Sequence, residues 1–276
     1  MIYIVIILLG LCLGSFVNAL VYRLHQQSVH TNQSKANKQK YSILTGRSMC
    51  VSCHHILGWT DLVPVFGWIW LRGKCRYCHK PISRQYPLVE LVTAGLFVAS
   101  YAYWPSPVSG REIFDLSIWL AILVGLVALA VYDLKWMILP TSIIEKLVGL
   151  VLFQIIVDIV VFDQTSGLMS AFYGAMVLGG LFWLLHRVSD GKWIGGGDIR
   201  LGALLGLIVG GPANSLMLLF LASVLGSFVS VVLLLRKKAS TSSHIPFGPF
   251  LIIAAIIVQL FGASLLAWYK HKVLSI

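Results

Sequence analysis

The sequence has 276 residues, 58% of them hydrophobic and 11% charged, with a mean hydropathy of +0.87. So large an apolar share excludes a soluble domain of this length. The formal net charge is +11, but the basic residues flank apolar runs and form no separate basic domain, which argues against nucleic acid as a partner.

Runs of about 20 apolar residues, the length that crosses a hydrocarbon core of roughly 30 Å, recur along the chain. They predict helices over residues 2–22, 88–104, 116–133, 142–162, 168–185, 194–211, 213–235 and 248–269. The sequence lacks the ten-residue alternating segments of a membrane β-barrel. The expected fold is an all-α polytopic membrane protein of about eight transmembrane helices. A small zinc-knuckle segment lies between helices one and two. This divides the chain into a first transmembrane helix (1–22), a cysteine-rich segment (23–86) and a domain of about seven helices (87–276).

The first run has no basic n-region, exceeds the usual apolar core of a signal peptide and precedes no small-residue cleavage site. It reads as a retained helix. The next segment, 23–86, holds ten Lys/Arg against a single acid, Asp61. The positive-inside rule places it in the cytoplasm and the N-terminus outside. Alternation from there puts Lys135, Arg187, Lys192 and Arg236 on the cytoplasmic side, while Lys270 and Lys272 run against the rule. The basic balance also suits anionic headgroups, so the lipid bilayer is an expected partner.

Four of the five cysteines lie in this segment, as Cys50-x-x-Cys53 and Cys75-x-x-Cys78 with 21 residues between the pairs. Two such knuckles bring four thiolates to one tetrahedral metal, close to zinc-site spacing. Two disulfides are the alternative, and a reducing cytosol disfavours them. Four cysteines complete a zinc shell, so His54, His55 and His79 read as solvated surface. Cys12 reads as a small packed side chain. The polar stretch 25–41 reads as a mobile loop. "LVPVFGWIWLRGKC" (62–75) is apolar and aromatic, and suits either packing on the knuckles or the membrane interface.

The third helix carries Asp133 at its cytoplasmic end, in "AVYDLKWMILP" (130–140), and Pro140 is expected to end that segment. The sixth carries Asp198 in "WIGGGDIRLGALLG" (193–206), about five residues and 7 Å from its start. The two carboxylates thus share one depth and one side. A carboxylate inside a membrane helix costs about 2.5–3.5 kcal/mol and marks a functional site by default. Two close carboxylates hold one proton between them, so one serves as base to a water while the other polarises a carbonyl. Gly195 and Gly197 would let a backbone approach Asp198 closely. In the alternative, Asp133 snorkels or pairs with Lys135, and Asp198 pairs with Arg200 or caps its helix. Glu145, Asp158 and Asp163 read as structural.

These motifs together resemble the type IV prepilin peptidases of bacteria, the bifunctional leader peptidase/N-methyltransferases. The resemblance rests on "GLCLGSFVNALVYRL" (10–24), the paired knuckles, "LRGKCRYCHKPISRQYPLVELVTAG" (71–95), "YDLKWMILP" (132–140), "GGGDIRLGALLG" (195–206) and "IPFGPFL" (245–251), in family order. It implies that Asp133 and Asp198 are the catalytic pair of a membrane aspartic protease within 87–276. It implies cleavage of a short basic leader from prepilins or pseudopilins on the cytoplasmic side of the inner membrane. It also implies methylation of the new N-terminus from S-adenosylmethionine; no nucleotide-binding fingerprint in the sequence supports that donor independently. Pro246 and Gly248 are expected to shape the site, and Gly14, Ser15 and Asn18 to pack the first helix, aided by the Gly10-x-x-x-Gly14 spacing. The chain departs from the family pattern at Thr141, where the family has aspartate, and at His25, where it often has proline. Arg200 keeps the family's basic residue. A proton-coupled transporter and a non-catalytic paralogue are the competing classes; neither explains knuckles and flanking motifs that are all intact. The sequence does not define an oligomeric state.

Overall fold

The structure is a computed structural model that describes residues 1–29, 41–43, 45–105, 110–236 and 245–273. It is helical, with two compact units, Met1–Ala102 and Tyr103–Ile276. Five helices are long and apolar enough to cross a membrane.

In the first unit, α1 (Ile2–Val29) packs against α3 (Gln85–Ala102). Between them lie a 3-10 turn (Trp59–Leu62) and a short helix, α2 (Phe66–Trp70). Helix α1 runs a further two turns past the expected 2–22, so residues 25–29 are helical and not part of a loop. The rest of that expected loop, 30–40, lies outside the described residues. Small residues explain the α1–α3 crossing. A Cβ on Gly10 would sit 2.6 Å from the Ala94 Cα, and one on Gly14 would sit 2.7 Å from the Glu90 Cα. The glycine spacing lets two backbones touch, as it does in membrane helix pairs.

The second unit holds α4 (Arg111–Trp136), α5 (Thr141–Phe162), α6 (Ser166–Val188), α7 (Gly196–Val209), α8 (Pro212–Leu235) and α9 (Gly248–Val273). Helix α7 is its centre: it packs on α6 and also meets α5, α8 and α9. Gly174 of α6 and Gly206 of α7 lie backbone to backbone. Leu201, Leu204 and Leu205 of α7 are fully buried.

Helices α1, α4, α6, α8 and α9 meet the length and hydropathy of a span. The other three long helices do not, for separate reasons. Helix α7 has 14 residues, about 21 Å of rise against a core of roughly 30 Å. Helix α3 carries Gln85, Pro87 and Glu90, and α5 carries Glu145, Lys146 and Asp158. Asp158 accepts from Arg111 at 2.9 Å, and Asp115 accepts from Gln154 at 2.9 Å, so these acids tie α4 to α5.

Candidate functional site

The helix bearing Asp133 stops before the proline expected to end it. Helix α4 closes at Trp136, Met137 turns left-handed at φ 54°, and its N–H bonds the Asp133 carbonyl at 2.8 Å. Pro140 instead stands as the N-cap of α5, since its fixed φ suits a helix start. Asp133 is therefore in the last turn of α4, buried at 5% exposure.

Asp198 lies in the first turn of α7, because that helix begins at Gly196 and not near Trp193. It is closer to the helix end than the sequence suggested. Its carboxyl turns back toward Gly195, 3.5 Å from where a Cβ there would stand, the position from which an acid three residues into a helix can cap it. That position suits capping, and it also brings Asp198 within electrostatic reach of Asp133. Neither forms an ion pair among the described residues. Lys135 lies over the Trp136 ring at 4.9 Å.

Three contacts assemble this pair. A Cβ on Gly197 would meet the Leu139 side chain at 3.2 Å, so the start of α7 rests on the link after α4. Arg200 donates to the Thr141 hydroxyl, fixing α7 to the start of α5. That bond joins the family's basic position to the position where this chain departs from aspartate. The third contact is the start of α9. A Cβ on Gly248 would stand 2.5 Å from Asp133 Oδ2, and the Gly248 N–H is turned to the same carboxyl. Asp198 thus sits at the N-terminus of α7, and the Asp133 carboxyl, though at the C-terminal end of its own helix, faces the N-terminus of α9, where the dipole favours negative charge. Gly195 is exposed and open to an approaching chain. Pro246 lies just before α9, and Gly248, at the first position of that helix, meets the Asp133 carboxyl.

Gly248→Ala is expected to push the Asp133 carboxyl aside. A displacement near 1 Å costs about a hundredfold in a positioned reaction. Turnover should fall on that order while the protein stays folded, read from the initial rate and the melting curve.

The four knuckle cysteines converge in the first unit. Their Sγ atoms all lie within 4.8 Å of one another, and Cys50 and Cys78 are 3.9 Å apart. The two knuckles repeat one pattern. Cys50 N–H bonds the His55 carbonyl and His54 N–H the Cys50 carbonyl; Cys75 and His79 repeat this with Lys80 and Cys75. Isolated bridges Met49–Ile56 and Lys74–Pro81 close each loop. Burial opposes the Cys50 thiolate, but N–H donors of Cys53 and Ser52 outweigh it and hold that thiol at about 7. At Cys78 the Lys80 N–H favours the thiolate, but burial and the neighbouring sulfurs outweigh it and push that thiol up to about 11. Four sulfurs this close repel as thiolates until a cation joins them, and this donor set can hold a metal ion.

His54 and His79 are exposed and occupy left-handed positions, φ 56° and 55°, directly after the second cysteine of each knuckle. His55 is also exposed and stacks on Tyr77 with ring centroids 3.6 Å apart. His54→Gly and His79→Gly are each expected to keep metal binding. They remove a left-handed cost of about 1–2 kcal/mol, partly offset by glycine's greater chain entropy. Chelator titration of the purified variants checks this.

Two polar ties were not foreseen. Asp61, the lone acid of 23–86, has a side chain only 2% exposed and pairs with Arg76 at 2.8 Å. Glu90, 6% exposed in α3, accepts from the Val65 N–H at 2.7 Å. Glu90 stands in a quoted motif, "PLVELV", and a charge inside that apolar run was the available signal.

Five helices of membrane length, two aspartates brought near each other and a four-cysteine cluster are together the features of a membrane peptidase. Comparison with known families agrees. Residues 8–104 match the bacterial peptidase A24 N-terminal domain, and residues 120–231 match the type IV leader peptidase family. The chain belongs to the type IV leader peptidase family. It is 34% identical to the prepilin leader peptidase/N-methyltransferase of Aeromonas hydrophila, covering 96% of this chain and 92% of the relative. It is 33% identical to that of Aeromonas salmonicida (strain A449), covering 98% and 94%. It is 32% identical to that of Stutzerimonas stutzeri, covering 95% and 92%. No solved structure matches the chain.

Proposed function

We propose that the protein cleaves the basic leader from prepilins or pseudopilins and then methylates the exposed N-terminus. The observation that carries the protease reading is the placement of Asp133, in the last turn of α4, and Asp198, in the first turn of α7, where the start of α9 packs on both helices. The pair holds one proton between them. The ionised carboxylate takes a proton from water, and the protonated one donates to the scissile carbonyl as the water attacks. The proton then passes to the leaving amine, and the pair returns to its starting state. Gly195, exposed beside Asp198, leaves room for an extended substrate, while Gly197 packs on Leu139 and Gly248 fixes the Asp133 carboxyl.

The relatives' names support the methyltransferase activity, with S-adenosylmethionine as the donor. The four cysteines would hold a structural zinc, each supplying one thiolate and together filling its shell with protein ligands. We assign residues 23–86 to metal binding and the helices after 87 to the protease. All eight long helices are membrane-embedded in this reading. Helix α7 reaches only part way, which suits a helix that presents a carboxylate at one surface. The charge pattern sets 23–86 in the cytoplasm of a bacterial inner membrane. The test is processing of a prepilin by the purified protein in proteoliposomes, with Asp133→Asn and Asp198→Asn beside it. Cleavage by wild type alone supports the reading.

A further inference from the structure

The short aromatic elbow between the 3-10 turn and α2 is held against a buried carboxylate, and its aromatic side chains face outward. Trp59 is 81% exposed, Phe66 67% and Trp70 84%, and Ile69 is exposed beside them. Trp68 alone turns inward, donating to the Ile82 carbonyl at 3.2 Å and packing on Gly73. So many exposed rings on one small element need a partner.

The elbow's level relative to the helices is fixed. Val65 takes φ 61° and ψ −53°, and the Phe66 N–H bonds the Pro64 carbonyl at 2.6 Å. This is a γ-turn of the rare, strained kind, on a β-branched residue. Its free N–H is caught by Glu90 Oε2 at 2.7 Å. Ser15 and Gly14 of α1 lie beside Glu90, and a Cβ on Gly14 would stand 2.7 Å from the Glu90 Cα. Glu90 stands five residues into α3, about 8 Å along the axis. At that level Leu88, Leu91 and Val92 are exposed and apolar. The elbow is therefore anchored level with the apolar, outward face of α3. Close in sequence, Arg72, Lys74 and Arg84 are exposed, and none is in an ion pair among the described residues.

We propose that Trp59, Phe66, Ile69 and Trp70 form a membrane-interface anchor, set at headgroup depth by the Glu90–Val65 bond, with lipid as its occupant. Aromatic rings belong at that boundary, and basic side chains beside them meet anionic headgroups. The anchor fixes the height of the metal-bearing segment over the bilayer. It rests on the reading of α3 as membrane-embedded, and the control below separates the two.

The test uses the full chain in native-like membranes with a photoreactive p-benzoylphenylalanine at position 66, 70 or, as control, 91. Adducts are read by mass after illumination. Lipid adducts at 66 and 70 as well as 91 are the expected result. Lipid at 91 but none at 66 or 70 overturns the anchor and leaves the embedding intact. No lipid at 91 overturns the embedding and the anchor with it. Adducts at 70 to a prepilin substrate in place of lipid also overturn it, making the elbow a substrate groove. Glu90→Ala should cut the lipid yield at 70 several-fold while leaving 91 unchanged. Glu90→Gln, whose amide oxygen still accepts from Val65, should restore it. Equal yields in all three backgrounds would show that Glu90 does not set the depth.

Discussion

Asp133→Asn and Asp198→Asn are each expected to abolish leader cleavage while both variants remain folded in the membrane. An amide neither takes a proton from water nor shares one with the neighbouring carboxyl. General acid–base contributions run to about a hundred- to ten-thousand-fold, and each substitution removes one member of a pair that acts as a unit. The fold should survive for a physical reason. The amide that replaces the Asp133 carboxyl keeps an oxygen toward the Gly248 N–H, and the one that replaces the Asp198 carboxyl keeps an oxygen toward the Gly195 N–H. Asparagine is also cheaper than an acid in a buried helix end. Retained melting temperature with lost turnover distinguishes chemistry from structure. Near wild-type cleavage by either variant would return both acids to capping and packing.

The second large effect lies in the cysteines. Cys75→Ser removes the most buried of the four sulfurs and should reduce bound zinc from about one per chain to near none. Structural zinc supplies roughly 10–16 kcal/mol of apparent binding free energy in finger peptides. The other ties among the described residues of the segment are polar and local, such as two isolated bridges, the Asp61–Arg76 pair, the Trp68–Ile82 bond and the Glu90–Val65 bond, with no large apolar core. Limited proteolysis should then cut readily between residues 45 and 84, where the wild type resists. The same loss should follow acidification. A bound zinc would hold the thiols as thiolates below their metal-free range, so the stability it gave would be present at neutral pH and lost as protons displaced the metal. Unchanged proteolysis after chelation would show that the segment folds without metal.

Much of this was legible in the sequence because membrane burial leaves a strong mark. The eight long helices fall where apolar runs lie, and the knuckles follow from two CxxC pairs. The helix ends were less legible. Residues 23–29 are mostly polar yet continue α1, where Arg23 donates to the carbonyls of Ile43 and Gly46 and Gln27 to that of Tyr41, ties to a distant segment that an apolar run does not announce. Pro140 looked like a terminator and is an N-cap, since the left-handed Met137 had already ended α4. Apolar count cannot see that α7 starts at Gly196, because glycine and tryptophan before it read as part of the run. Glu90 and Asp61 were invisible as ties, because each partner is a backbone N–H or a distant arginine. The acids themselves were found by cost: a carboxylate in an apolar helix needs a reason.

The most direct measurement is the mass of a model prepilin after incubation with the wild-type protein and S-adenosylmethionine in proteoliposomes. The Asp198→Asn variant and an active relative run beside it. The account predicts a product short by the leader and heavier by one methyl group with wild type, and intact prepilin with the variant. Intact prepilin with wild type, where the relative cuts the same substrate, would contradict it, as would equal cleavage by the variant.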